Sequence, residues 1–129
     1  FECGRRNNAL KFWSLWKSIG AKGISEIVDH EFMLANAARE YVLNNKNYTL
    51  YGPKNTLSVC FNYKNFDPKK LCKELYKNNK LMIGYGSFNK TNFIRLVTVN
   101  SSNTKNEIFE MFKVLENFAE ENKDQLCKT

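Results

Sequence analysis

Apolar and polar positions change period along this chain, and the changes mark its elements. Over residues 8–18, with Ile19 just beyond, the apolar residues Ala9, Phe12, Trp13, Trp16 and Ile19 recur at helical spacing as a wide aromatic stripe. Gly20 and Gly23 predict its end. A second, longer helical stretch over residues 24–44 gathers Ile27, Val28, Leu34, Ala35, Ala38, Tyr41 and Val42 on one face. The period then falls to two. Strands are predicted over residues 48–51 and 57–63, joined through Gly52-Pro53, with Leu57, Val59, Phe61 and Tyr63 alternating with Ser58, Cys60 and Asn62.

Asp67-Pro68 opens a third helix, Asp67 as N-cap and Pro68 at the first helical position, with Leu71, Cys72, Leu75 and Tyr76 facing inward. A short strand over residues 81–85 follows, then a polar turn. The next strand places Phe93, Arg95, Val97 and Val99 on one face and Ile94 and Leu96 on the other. Thr104-x-x-Glu107 is a capping box that starts the last helix, whose buried stripe is Ile108, Met111, Phe112, Leu115, Phe118 and Ala119. The sum is an α+β layer: a small, mostly antiparallel sheet with helices on one face. The other sheet face and the Trp-bearing first helix then each lack a cover, so a larger body or a second copy is expected against them.

Arg95 stands out within this pattern. Both faces of its strand are apolar enough to predict that both are covered. A guanidinium does not deprotonate and is costly to bury unpaired, so an anion is expected to meet it, and a carboxylate suits its fork. The anion is either an internal Asp or Glu or the carboxylate of a substrate.

At 129 residues the chain has the length of one domain with a real core. The net charge is +7, but the lysines lie scattered among asparagines, with no basic run of five and no one-sided basic helix, so nucleic acid is not an expected partner. No apolar stretch approaches a membrane span, so no membrane partner is expected. Cys3, Cys60, Cys72 and Cys127 include no CxxC pair, and with a single histidine no zinc set is expected. Cys60 and Cys72 read as buried thiols and favour a reducing, cytoplasmic compartment; the sequons at Asn47, Asn89 and Asn100 are weak counterweights in a chain so rich in Asn. The opening at Phe1 reads as cut from something longer. Catalysis by this chain alone is hard to assemble. His30, between Asp29 and Glu31, reads as a solvated surface residue, and there is no GxSxG or P-loop. Arg5-Arg6 opposes a helix dipole unless an acidic partner meets it.

Four segments, in order, carry a family resemblance. Cys3-Gly4-Arg5-Arg6 with Leu10-Lys11-Phe12-Trp13 and Trp16-Lys17 resembles the segment joining the large and small domains of group II pyridoxal-phosphate-dependent decarboxylases. Val59-Cys60-Phe61 with Tyr63, then Met82-Ile83-Gly84-Tyr85, then Asn92-Phe93-x-Arg95 resemble later strands of that family, and the closing helix matches in position. The likeness is greatest to the branch acting on glutamate, cysteine sulfinate and aspartate.

The resemblance implies an aspartate-aminotransferase-like dimer whose large domain holds pyridoxal 5'-phosphate on a lysine. Residues 1–23 would be the connecting helix and 24–129 the C-terminal small domain. It further implies that Arg95 binds the substrate carboxylate, that no cofactor-binding or catalytic residue lies in this chain, and that the chain alone is inactive, since the family's His-Lys pair is absent. The partners implied are a small acidic amino acid and a large domain, in the same or another chain. Asn8, Asn62 and Gly86 depart from the family pattern, where an aspartate, an aromatic and a glutamine are usual, and the link from Tyr63 to Pro68 is short. An alternative reading is therefore a catalytically inactive interaction or regulatory module derived from that family.

Overall fold

A computed structural model describes residues 7–127. Helix α1 spans Asn8–Asn44 and is interrupted at Gly20, whose φ of 68° and ψ of −179° belong to a region essentially reserved for glycine. The two expected helices are thus one element with a break, and Gly20 makes the break. Gly23 lies inside the helix rather than ending it, against the side chain of Ile19. The Asn7 side chain caps the start by accepting from the backbone N–H of Leu10 at 3.0 Å. The Cys3-Gly4-Arg5-Arg6 segment lies outside the described residues.

Strands β1 (Tyr48–Tyr51) and β2 (Ser58–Tyr63) follow, then helix α2 (Pro68–Lys77), strands β3 (Gly84–Phe88) and β4 (Thr91–Val97), and helices α3 (Lys105–Glu121) and α4 (Lys123–Leu126). The sheet order is β1-β2-β4-β3, every pair antiparallel. Both predicted caps form. Asp67 accepts from the N–H groups of Lys69 and Lys70 at 2.9 Å, and Thr104 and Glu107 make the reciprocal capping box.

Two expectations shift. The strand placed over residues 81–85 begins three residues later, at Gly84. Asn89 and Lys90, with φ of 46° and 64°, make a two-residue turn of the kind that matches strand twist. That turn pairs Phe88 with Thr91 and Gly84 with Arg95, so the turn, not the apolar run, sets the register. Leu81 and Ile83 instead pack against the core as the chain crosses from α2 to the sheet. Tyr76, expected inward, is 64 % exposed, because it lies at the margin of the Leu71, Cys72, Leu75 stripe and α2 ends one residue later.

The helices pack on one side of the sheet. Val59, Phe61 and Tyr63 of β2 and Ile94 of β4 meet Leu34, Ala38 and Val42 of α1, Leu71 and Leu75 of α2, and Phe112 and Leu115 of α3 in one apolar cluster. Tyr41 stacks on Phe112 with ring centroids 4.3 Å apart, and Phe61 and Tyr48 lie against the same ring. The part of α1 before Gly20 makes no share of this core. Phe12, Trp13 and Trp16 are about half exposed, as the unpartnered stripe predicts.

Candidate functional site

The face of the sheet turned away from the helices collects Thr49 and Tyr51 from β1, Ser58, Cys60 and Asn62 from β2, Phe93, Arg95 and Val97 from β4, and Gly84, Gly86 and Phe88 from β3, because residues paired across antiparallel strands share a face. Arg95 is at its middle, opposite Cys60 on one side and Gly84 on the other. Its side chain is exposed. Within this chain only one face of the strand is covered: Ile94 is buried at 1 %, whereas Val97 is 42 % exposed. Any cover on the second face has to come from outside residues 7–127.

Among the described residues no carboxylate pairs with Arg95. The internal Asp or Glu of the first alternative is not found there. Arg95 also lines a shallow groove of about 230 Å³, together with Met82, Ile83, Gly84, Leu96 and Val97. A Cβ at position 84 would meet the Arg95 carbonyl oxygen at 3.4 Å, an ordinary contact, whereas at position 86 it would lie 2.8 Å from Cε2 of Phe93 and the ring would have to shift. On this face Arg95 is an exposed, always-charged fork, without a carboxylate among the described residues, able to take one in two parallel hydrogen bonds.

Burial pushes the Cys60 thiol above its ordinary value, while Arg95 and Arg39 pull the other way. Cys60 is half-buried rather than buried. Cys72 is buried, and its thiol is pushed up to about 12, chiefly by burial. Cys60, Cys72 and Cys127 are free thiols. His30 is half-buried rather than solvated, its Nε2 2.9 Å from the carbonyl oxygen of Asn103, and so ties α1 to the approach of α3.

Two polar features escaped sequence reasoning. Arg39, on α1, is 6 % exposed and donates to Oδ1 of Asn36 at 3.2 Å, to the carbonyl and Oγ1 of Thr56, and to the carbonyl of Ser58 at 3.4 Å. Its helical position next to Ala38 was the one signal. Glu116 accepts from the hydroxyls of both Tyr41 and Tyr48 at 2.9 Å. Burial, with this carboxylate, pushes Tyr41 up to about 12 and Tyr48 higher still, so both remain neutral donors. These contacts hold the aromatic cluster together and are not placed to act on a substrate.

Comparison with known proteins bears on this face. Residues 1–64 match the pyridoxal-dependent decarboxylase conserved domain. Cysteine sulfinic acid decarboxylase of Homo sapiens is 30 % identical over 121 residues, covering 80 % of this chain and 24 % of that protein. Acidic amino acid decarboxylase GADL1 of Mus musculus is 28 % identical over 119 residues, covering 77 % of this chain and 21 % of that protein. The crystal structure of the mouse cysteine sulfinic acid decarboxylase superposes with a TM-score of 0.75 at 26 % identity, over 90 % of this chain and 28 % of that one. The small antiparallel sheet with its helices is the fold of a domain in aspartate-aminotransferase-like decarboxylases. The chain is thus related, through the decarboxylase-domain match over residues 1–64 and these relatives, to the cysteine sulfinic acid and acidic amino acid decarboxylases. It spans about a quarter of the length of the relatives it matches.

Pyridoxal 5'-phosphate is the cofactor of this family. Every described lysine is exposed in this chain taken alone. The single histidine is followed by glutamate, not lysine. No helix among the described residues is long and apolar enough to cross a membrane.

Proposed function

We propose that this chain is the small domain of a pyridoxal-phosphate-dependent acidic amino acid decarboxylase and supplies Arg95 to its substrate site. The observation that carries the reading is the guanidinium itself: exposed at the centre of the bare sheet face, beside an open groove, with no carboxylate on it among the described residues. Relatives that act on doubly acidic substrates support an external carboxylate as its partner. The part played by Arg95 is binding and orientation. Two parallel N–H···O bonds fix both the position and the plane of a carboxylate, which one point charge cannot do.

The decarboxylation itself is the work of the cofactor, held on a large domain in the same or another chain. Residues 1–23 serve in this reading as the connecting helix. The exposed stripe of Phe12, Trp13 and Trp16 and the break at Gly20 support a segment that packs on something other than residues 24–129. A homodimer, a cytoplasmic setting and inactivity of the isolated chain belong to the same proposal.

The test is Arg95→Lys in the whole enzyme, assayed on glutamate, cysteine sulfinate and aspartate. The expected result is a loss of at least about 30-fold in kcat/KM, because an ammonium keeps the charge and loses the fork. Near-normal kcat/KM on all three substrates overturns the assignment of Arg95.

A further inference from the structure

Lysines that look scattered along the sequence gather on α2. The helix turns Leu71, Cys72 and Leu75 inward, and its opposite side carries Lys69, Lys70, Lys73 and Lys77, all exposed. Lys80 follows just past the helix end. The expectation that no helix is basic on one side is corrected here: the core takes one face of α2, so these lysines share the other. Two carboxylates lie in the same stretch. Asp67 accepts from the N–H groups of Lys69 and Lys70, and Glu74 lies 3.8 Å from Lys77. Among the described residues no carboxylate pairs with Lys69, Lys70, Lys73 or Lys80.

The stability of α2 does not account for this arrangement. Lys69 and Lys70 stand in the first turn, at the positive end of the helix dipole, where acidic residues are favoured. Lys69 with Lys73, and Lys73 with Lys77, are like charges at i, i+4, which destabilises a helix. Only Lys77, in the last turn, is favourably placed. An anion lying along the line relieves the unfavourable contacts.

Beside Lys73 a shallow groove of about 350 Å³ opens between α2 and the start of β3, lined by Tyr76, Met82, Ile83 and Tyr85 among others. Lys73 is the one charged residue of its lining. Met82 is 86 % exposed and Tyr76 is exposed too, so large apolar side chains border the lysine line. Lys69, Lys73 and Lys77 are about 6 Å apart along the helix axis. Alternate residues of an extended chain are about 6.6 Å apart, and those between them point the opposite way. A segment laid between the line and the groove therefore sends charged side chains to one side and apolar ones to the other. A nucleic acid brings the charges without an aliphatic side chain, and a lipid bilayer is flat where the groove is recessed.

We propose that the outer face of α2 docks an extended acidic segment of another protein, with carboxylates at alternate positions along Lys69, Lys73 and Lys77 and an apolar side chain between them seated against Tyr76 and Met82. This face uses none of the residues assigned to the decarboxylase reading, so either can fail without the other.

The test uses the full chain and a short peptide alternating serine and glutamate, its central serine replaced by leucine, with affinity measured by calorimetry and contacts mapped by NMR. Saturable binding is expected below about 1 mM in about 50 mM NaCl, with the Met82 methyl and Tyr76 ring signals moving. Restoring serine for leucine in the peptide should weaken binding about tenfold. The triple variant Lys69→Gln, Lys73→Gln, Lys77→Gln should weaken it about tenfold with a melting temperature unchanged or raised, since like-charge pairs are removed. The proposal is overturned if the peptide does not bind up to about 1 mM, if the leucine or the three lysines make no difference, or if oligothymidylate or phosphatidylserine vesicles bind this face more tightly than the peptide.

Discussion

The two faces of the one sheet treat an arginine in opposite ways. On the helix-covered side Arg39 is buried and spends its donors on neutral oxygens from Asn36, Thr56 and Ser58. On the bare side Arg95 is exposed and, among the described residues, spends none on a carboxylate. Burial pulls the Arg39 pKa down, yet a guanidinium stays charged, so the fold has to supply acceptors for it permanently. Arg39 is therefore structural, and Arg95 is available. A count of arginines or of apolar neighbours along the chain does not distinguish the two; the list of what each donates to does.

The largest expected effect strikes the covered face alone. Phe112→Ala removes a fully buried ring that touches Tyr41, Tyr48 and Phe61, and should cost about 3–5 kcal/mol in chemical denaturation. Arg39→Met comes next. It deletes the donor shared by the Thr56 and Ser58 carbonyls while keeping most of the side-chain bulk, and should cost about 1–3 kcal/mol by the same measurement. Arg95→Ala sharpens the contrast: its stability should stay within about 0.5 kcal/mol of the parent. A large loss there would make Arg95 a second Arg39 and remove it from the substrate site.

The smallest effect is a matter of pH. Glu107 is held below its ordinary value of 4.5 by the backbone N–H of Thr104, then by the Thr104 side chain. A carboxyl with a lowered folded pKa contributes stability above about its unfolded value, and the contribution is lost as pH falls through the folded one. Stability should therefore decline on acidification below about 4.5, and Glu107→Gln should lessen the slope of that decline in a melting-temperature series from pH 6 to pH 3.

Local signals with their own chemistry were legible in the sequence. The Asp67-Pro68 and Thr104-x-x-Glu107 starts, the last helix and the strand at Arg95 all appear where caps and period put them. The strand before Arg95 was misplaced because its register is set by two left-handed turn residues, neither of them glycine. The bareness of the Arg95 face was hidden because Phe93 and Val97 read as core in one dimension, whereas only the packing of three helices on the other side decides which apolar face is covered. Asn62 drew notice only as a departure from a family pattern. Its amide nitrogen donates to Tyr51 and Asn92, which approach it from two other strands and so could not be read from its own.

The break at Gly20 also has a mechanical meaning. The helical arm before it, from Asn8 to Ile19, is about 18 Å long at 1.5 Å per residue. A change of only ~10° in the direction of that arm would sweep its far end through about 3 Å, roughly two residues of helical rise. Leverage of that kind concentrates in one pair of torsions. Any residue with a Cβ at position 20 would resist the φ of 68° that sets the arm's angle, so Trp13 and Trp16 are aimed by the one residue among them that has no side chain to aim.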